Sequence, residues 1–234
     1  MERRRKLGRL SYSSHRRQVR NYYQSRDPDL IFDLDQYSCS EHNSPIYGRL
    51  LAEALVRRCR RYRASRVMEI GAGRGQLAFD VLSHIRTRYP GMYRNTRYVI
   101  VELSPSLARY QRRKLGRLGV AVVVGDALCL PIRPGALDRW VVISNELIAD
   151  LPSPSKARRG VGGKALAGML DERGREMLAS RGYINQGAAD FIRELDRAMG
   201  RATALLIDYG LHNTSKIRRL GPPECCHHEV GINW

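Results

Sequence analysis

From residue 44 onward the apolar positions of the chain switch between two periods. Ile46, Leu50, Leu51, Ala54 and Leu55 recur at helical spacing behind Ser44-Pro45, an N-cap serine followed by proline at the first helical position. Arg57, Arg58, Arg60 and Arg61 close that helix with cations suited to the negative end of its dipole. Arg66–Ile70 then reads as a short apolar strand running into a glycine loop, and helical spacing returns within Gln76–Arg86. Further strands are predicted at Tyr98–Val101, Val120–Val124, Trp140–Ile143 and Ala202–Ile207. A helix starts at Ser104-Pro105 with Leu107, Leu115 and Leu118 inward, and another spans Asn185–Met199 with Phe191, Ile192, Leu195 and Met199 inward.

Strands that are apolar throughout and alternate with helices imply a mostly parallel sheet covered on both faces, an α/β fold. In such sheets ligands bind at the carboxyl ends of the strands. The conspicuous polar groups of this chain sit there: the glycine loop after the first strand, Glu102 after the second, Asp126 after the third, Asn145-Glu146 after the fourth and Asp208 after the fifth.

Some segments fall outside the alternation. Residues 1–27 are rich in Arg, Ser and Tyr and read as an arm or weak helix, 28–44 as loop, and 87–97 as a loop insertion. Residues 152–182 form a Gly-, Ser-, Lys- and Arg-rich insertion in which Leu166, Met169, Leu170, Met177 and Leu178 suggest helical turns. Residues 211–234, with Gly221-Pro222-Pro223, read as irregular. The organisation expected is a basic N-terminal extension over 1–43, a core over 44–210 carrying the 152–182 insertion, and a short C-terminal extension over 211–234.

Net charge changes the picture of partners but not of fold. The 234 residues carry +18, overwhelmingly as arginine, which suits a polyanion such as RNA or an acidic protein face. Arginine-favouring codon usage gives the same composition. No apolar run reaches the ~18 residues of a membrane span. Five cysteines, at 39, 59, 129, 225 and 226, lack paired spacing and point to a reducing compartment. Cys225-Cys226-His227-His228-Glu229 has no second ligand pair, so no metal site is expected.

The chemistry begins at Glu69-Ile70-Gly71-Ala72-Gly73-Arg74-Gly75. Glycines at 71, 73 and 75 let the backbone turn sharply and approach a ligand, and the following helix offers unpaired N–H groups. The spacing G-x-G-x-G is not the G-x-G-x-x-G of NAD-binding domains. Glu102 lies 33 residues after Glu69, where a carboxylate can accept from both hydroxyls of an adenosine ribose. Asp126, in Gly125-Asp126-Ala127, is placed to take an exocyclic adenine amine.

This order of features resembles the Rossmann-like class I S-adenosylmethionine-dependent methyltransferases. Ser144-Asn145-Glu146-Leu147-Ile148-Ala149-Asp150-Leu151-Pro152 resembles the Asn-Glu-(apolar)₂-Asp-Ala-Leu-Pro motif of the MidA-type methyltransferases, with the aspartate and alanine transposed. Val101-Glu102-Leu103-Ser104-Pro105-Ser106-Leu107, Leu206-Ile207-Asp208-Tyr209-Gly210 and Ser44-Pro45-Ile46-Tyr47-Gly48 are similar to further motifs of that family. The likeness runs from about 44 to 210. The family includes the mitochondrial methyltransferase of respiratory complex I assembly, which dimethylates a protein arginine.

The resemblance implies S-adenosyl-L-methionine as cofactor, held by Glu69, Gly71, Ala72, Gly73, Gly75, Glu102, Leu103, Asp126, Ala127 and Asn145. It implies Asn145, Glu146 and Asp208 as catalytic residues and a protein arginine as acceptor. RNA methylation and a non-catalytic assembly role are the alternatives. The expected compartment is a prokaryotic cytoplasm, or the mitochondrial matrix of a eukaryote. Proteins of the family are usually longer, so the last strands of the sheet are expected to be trimmed, or the sheet edge covered by a second copy or a partner subunit.

Overall fold

The computed structural model describes residues 12–31, 45–152 and 186–208. In chain order these form α1 (Tyr12–Ser25), α2 (Pro28–Ile31), α3 (Pro45–Tyr62), β1 (Arg66–Ile70), α4 (Gln76–Arg88), α5 (Pro90–Asn95), β2 (Arg97–Glu102) and α6 (Pro105–Leu115). A 3₁₀ turn (Gly116–Leu118), β3 (Ala121–Val124), β4 (Trp140–Asn145), a second 3₁₀ turn (Ile148–Asp150), α7 (Gln186–Ala198) and β5 (Thr203–Ile207) follow. Of the described residues, those within Tyr23–Leu147 and Ile192–Ile207 make one compact unit, and those within Met1–Tyr22, Ile148–Phe191 and Asp208–Trp234 make another.

The first unit holds the sheet. Its five strands lie in the order β3-β2-β1-β4-β5, and every neighbouring pair is parallel. From β1 to β2 the chain steps one way across the sheet; from β4 to β5 it steps the other way. Right-handed crossovers therefore put α4 and α7 on opposite faces. The reversal falls between β1 and β4, which is where open α/β sheets bind ligands. The expected α/β fold with helices on both faces is what the chain forms.

Packing follows from period. Leu77, Ala78, Val81, Leu82 and Ile85 make one stripe of α4, and Leu51, Ala52, Leu55, Val56 and Cys59 one stripe of α3. These close over Val67, Ile100, Val122, Val141 and Ile143 of the sheet, with Ala108 and Leu115 of α6. Each fully buried aliphatic side chain of this kind is worth about 1.5–3 kcal/mol relative to exposure. The Ser104 side chain caps α6 by accepting from Leu107 N at 3.3 Å, with Pro105 at the first turn, as the sequence predicts.

Charge is sorted along the strands. β1 and β2 begin at Arg66 and Arg97, and Arg139 and Arg201 stand just before β4 and β5. The same strands run out at Glu69, Glu102, Asn145-Glu146 and Asp208. The amino edge of the sheet is thus basic and the carboxyl edge acidic.

Three expectations are corrected. Residues 87–97 are not a loop: α4 continues to Arg88, and α5 follows with Pro90 at its first turn, because the φ proline fixes suits a helix start. Tyr93 of α5 donates its hydroxyl to Leu118 O at 3.1 Å. Pro28–Ile31 is a helical turn rather than loop, with Ile31 fully buried. Ile192 of α7, expected to face inward, is 44% exposed; within 1–27 the helix alternative holds over Tyr12–Ser25, whose buried stripe is His15, Val19 and Tyr22. The predicted turns of 152–182 past Pro152, the 211–234 extension, the Cys225–Glu229 cluster and the expected trimming of the last strands lie outside the described residues. No described helix is long and apolar enough to cross a membrane.

Candidate functional site

The loop after β1 needs its glycines. Gly71, Gly73 and Gly75 all take positive φ, at 74°, 53° and 70°. Gly71 N donates to Val101 O at 3.0 Å, which ties the loop to β2. A Cβ on Gly71 would lie 2.9 Å from Leu147 Cδ1, and one on Gly75 would lie 2.9 Å from Leu115 Cδ1. Gly75 also caps α4, and no side chain occupies the cap. The first N–H groups of α4 therefore face the loop with only the helix's positive end behind them.

Two buried carboxyls flank this loop. Glu69, in β1, accepts from the Tyr98 hydroxyl at 2.8 Å. Glu102, at the end of β2, accepts from Ser104 N through Oε1 and from Gln111 Nε2 through Oε2, each at 2.9 Å. Burial pushes both carboxyls up to about 7; hydrogen bonds oppose the rise in each, and the neighbouring Glu102 adds to it in Glu69.

Gln111 is the residue the sequence reading missed. It is fully buried on α6, and its amide also donates to Gly73 O at 2.8 Å. One side chain thus fixes both the glycine loop and the acid of β2. Its Oε1 is buried with no hydrogen-bond partner. An acceptor lacking a donor, beside Gly73 and Glu102, is what a hydroxyl-bearing ligand would satisfy.

Asp126 follows β3. Its Oδ1 accepts from Leu128 N at 2.8 Å and its carbonyl from Cys129 N at 3.0 Å, a local turn that holds Gly125, Asp126 and Ala127 at the same edge. Gly125 N donates to Glu102 O at 2.9 Å. Leu103 is half-buried between Glu102 and the α6 cap.

At the end of β4, Asn145 is buried and its Oδ1 accepts from the Tyr47 hydroxyl of α3. Tyr47 is a second residue missed as a contact, although Ser44–Gly48 had stood out as a motif. Glu146 takes a left-handed φ of 52° and donates its N–H to Ile207 O at 2.8 Å. A non-glycine residue there costs on the order of 1–3 kcal/mol, a strain that gathers at active sites. Asp208 belongs to the second unit, where its Oδ2 accepts from Ile148 N at 2.7 Å. The first unit therefore brings Glu69, Gly71, Ala72, Gly73, Gly75, Glu102, Leu103, Asp126, Ala127, Asn145 and Glu146 to one edge of one sheet. Among the described residues no group of three His, Cys, Asp or Glu side chains is placed to hold a metal ion.

Residues 50–165 match a family model described as "Putative S-adenosyl-L-methionine-dependent methyltransferase". Two solved structures from Burkholderia thailandensis share the fold. One is an uncharacterized protein, 22% identical, with a TM-score of 0.57 over 86% of this chain and 57% of its own. The other, of the same superfamily, was solved with S-adenosyl-homocysteine; it is 23% identical, with a TM-score of 0.55 over 80% of this chain and 51% of its own. The present chain thus spans little more than half the length of either. No curated protein matches it. The molecule has the class I methyltransferase fold, and the stretch 50–165, which carries the glycine loop, Glu102 and Asn145-Glu146, matches the model of a family described as "Putative S-adenosyl-L-methionine-dependent methyltransferase".

Proposed function

We propose that the protein transfers a methyl group from S-adenosyl-L-methionine to a guanidinium nitrogen of an arginine in a protein substrate. The observation that carries the reading is Glu146: a carboxylate held in left-handed backbone beside buried Asn145, on the loop next to Gly71 across the reversal of strand order. The motifs at Val101–Leu107, Ser144–Pro152 and Leu206–Gly210 resemble those of the MidA-type family and support the arginine acceptor.

The chain's own groups fit the cofactor. The loop Gly71–Gly75 and the uncapped start of α4 suit its amino-acid portion, Glu102 and the orphan Gln111 Oε1 its ribose hydroxyls, and Asp126 its adenine amine. When bound, the cofactor supplies an electrophilic methyl on a sulfonium. Transfer is an in-line displacement, so positioning supplies much of the catalysis. A guanidinium is a cation and a poor nucleophile. Glu146 grips it in a bidentate pair, which localises a lone pair on the attacking nitrogen and provides a base for the proton that nitrogen loses. Tyr47 fixes the Asn145 amide beside it. Asn145-Glu146-Leu147-Ile148 offers neither the prolines nor the aromatic that would stack on a flipped base, which counts against N-methylation of a nucleic-acid base.

Calorimetry with S-adenosyl-L-methionine tests the cofactor half. The expected result is a dissociation constant on the order of 1–100 μM, lost in Gly73→Val. Absence of binding to the wild type sinks the reading. Incubating the protein with methyl-labelled cofactor and cell lysate tests the acceptor. Protease-sensitive label that hydrolyses to methylarginine is expected, and RNase-sensitive label overturns the arginine assignment.

A further inference from the structure

We propose that the amino edge of the sheet, opposite the cofactor loop, is a binding surface for single-stranded RNA. Arg66 and Arg97 begin adjacent parallel strands in direct register, and Arg97 N donates to Ser65 O at 2.8 Å, so two like charges are held side by side. Like-charged neighbours across strands destabilise a sheet unless something neutralises them. Helix dipoles do not account for these two arginines, because neither lies in a helix.

Backbone strain marks the same edge. Among the described residues three non-glycine positions have positive φ: Glu146 at the cofactor edge, and Arg63 and Arg139 at the amino edge. Arg63 follows the end of α3 at 49° and Arg139 precedes β4 at 56°, positions where glycine is the favoured residue. The chain keeps a long cation at both. Acids are scarce here: Asp138 is already paired with Arg201 at 3.0 Å, and Asp196 lies in the last turn of α7.

The chemistry points to RNA rather than an acidic peptide. Every cation in the run 57–66 is arginine, six in ten residues with no acid between them. Guanidinium groups bind phosphate through paired hydrogen bonds and stack on flat rings. The Arg66 guanidinium lies 5.8 Å from the Trp140 ring and that of Arg61 lies 5.6 Å from the Tyr62 ring, with Tyr62 itself 40% exposed. Arginines interleaved with an exposed aromatic suit a backbone track with bases stacked along it. A strand of five or six residues separates this edge from the glycine loop by roughly 17–20 Å. RNA held here tethers the protein and is not the methyl acceptor, so the inference stands apart from the methyl-transfer reading.

The test is fluorescence anisotropy of a labelled oligouridine of about 20 nucleotides, titrated with the full chain at several salt concentrations. The wild type should bind, with log K falling against log salt by about 0.7 for each phosphate neutralised. Arg61→Ser/Arg63→Gly should weaken binding about tenfold or more and flatten the slope by about 1.4, while S-adenosyl-L-methionine affinity stays at the wild-type value. Relief of the left-handed arginine should leave this variant folded and at least as heat-stable. Arg109→Ser/Arg113→Ser removes the same charge from the exposed flank of α6 and should change RNA affinity little. The proposal is overturned if the wild type does not bind the RNA at low salt, if the two double variants weaken it equally, or if a labelled polyglutamate binds more tightly than the oligouridine.

Discussion

Gln111 Nε2 donates to Glu102 Oε2 at 2.9 Å while also donating to Gly73 O at 2.8 Å. The two halves of the expected cofactor contact, a glycine loop and a strand-end acid, are thereby set by one buried amide. Gln111→Leu should leave both acceptors short of a donor, at a cost of about 1–3 kcal/mol in stability, and weaken S-adenosyl-L-methionine binding about tenfold. Thermal denaturation and calorimetry on the same preparation separate the effects. Unchanged affinity in the variant would show that the tie does not serve the ligand.

Glu69 and Glu102 make stability depend on pH in a stated direction. Both carboxyls sit near 7 in the folded chain against 4.5 in the unfolded one. Between those values the folded state keeps protons that the unfolded state releases, so stability is greatest below the window and falls as pH rises through it. At about 1.4 kcal/mol per pH unit of displacement, each carboxyl accounts for up to about 3 kcal/mol. The melting temperature of the cofactor-free protein should drop from pH 5 to pH 8, and Glu69→Gln should flatten the curve. Identical pH profiles for wild type and Glu69→Gln would refute this.

Gly71 and Leu147 interlock across the reversal of strand order. Gly71→Ala introduces a Cβ 2.9 Å from Leu147 Cδ1 at a φ of +74°. The expected loss is about 2 kcal/mol or more, part steric and part conformational. Adding Leu147→Ala should recover the steric part alone, so a double-mutant cycle by urea denaturation should give a coupling of about 0.5 kcal/mol or more. Strict additivity would mean that the leucine moves aside freely.

Glu146 gives the sharpest split between stability and activity. Glu146→Gly removes a strained side chain and should raise stability by up to about 1 kcal/mol. Methyl transfer should fall about 100-fold or more while S-adenosyl-L-methionine still binds. Retained transfer activity would remove Glu146 from the reaction.

The strands and the acids at their carboxyl ends were legible in the sequence because one local rule, an apolar run ending in a polar group, marks each of them. Gln111 was not. Its partners lie 9 and 38 residues away, and a glutamine on an arginine-rich helix looks like surface. The Tyr47–Asn145 contact spans 98 residues and is equally invisible to local pattern. Helix α5 was hidden by Pro90-Gly91, which spells a turn as readily as a helix start. Helix α1 was legible only as one alternative, an arm or a weak helix, because His15, Val19 and Tyr22 form a stripe that is only partly apolar.

The sorting of charge along the strands also gives the sheet of the first unit a polarity of its own, with guanidinium groups at the strand starts and carboxyl groups at the strand ends.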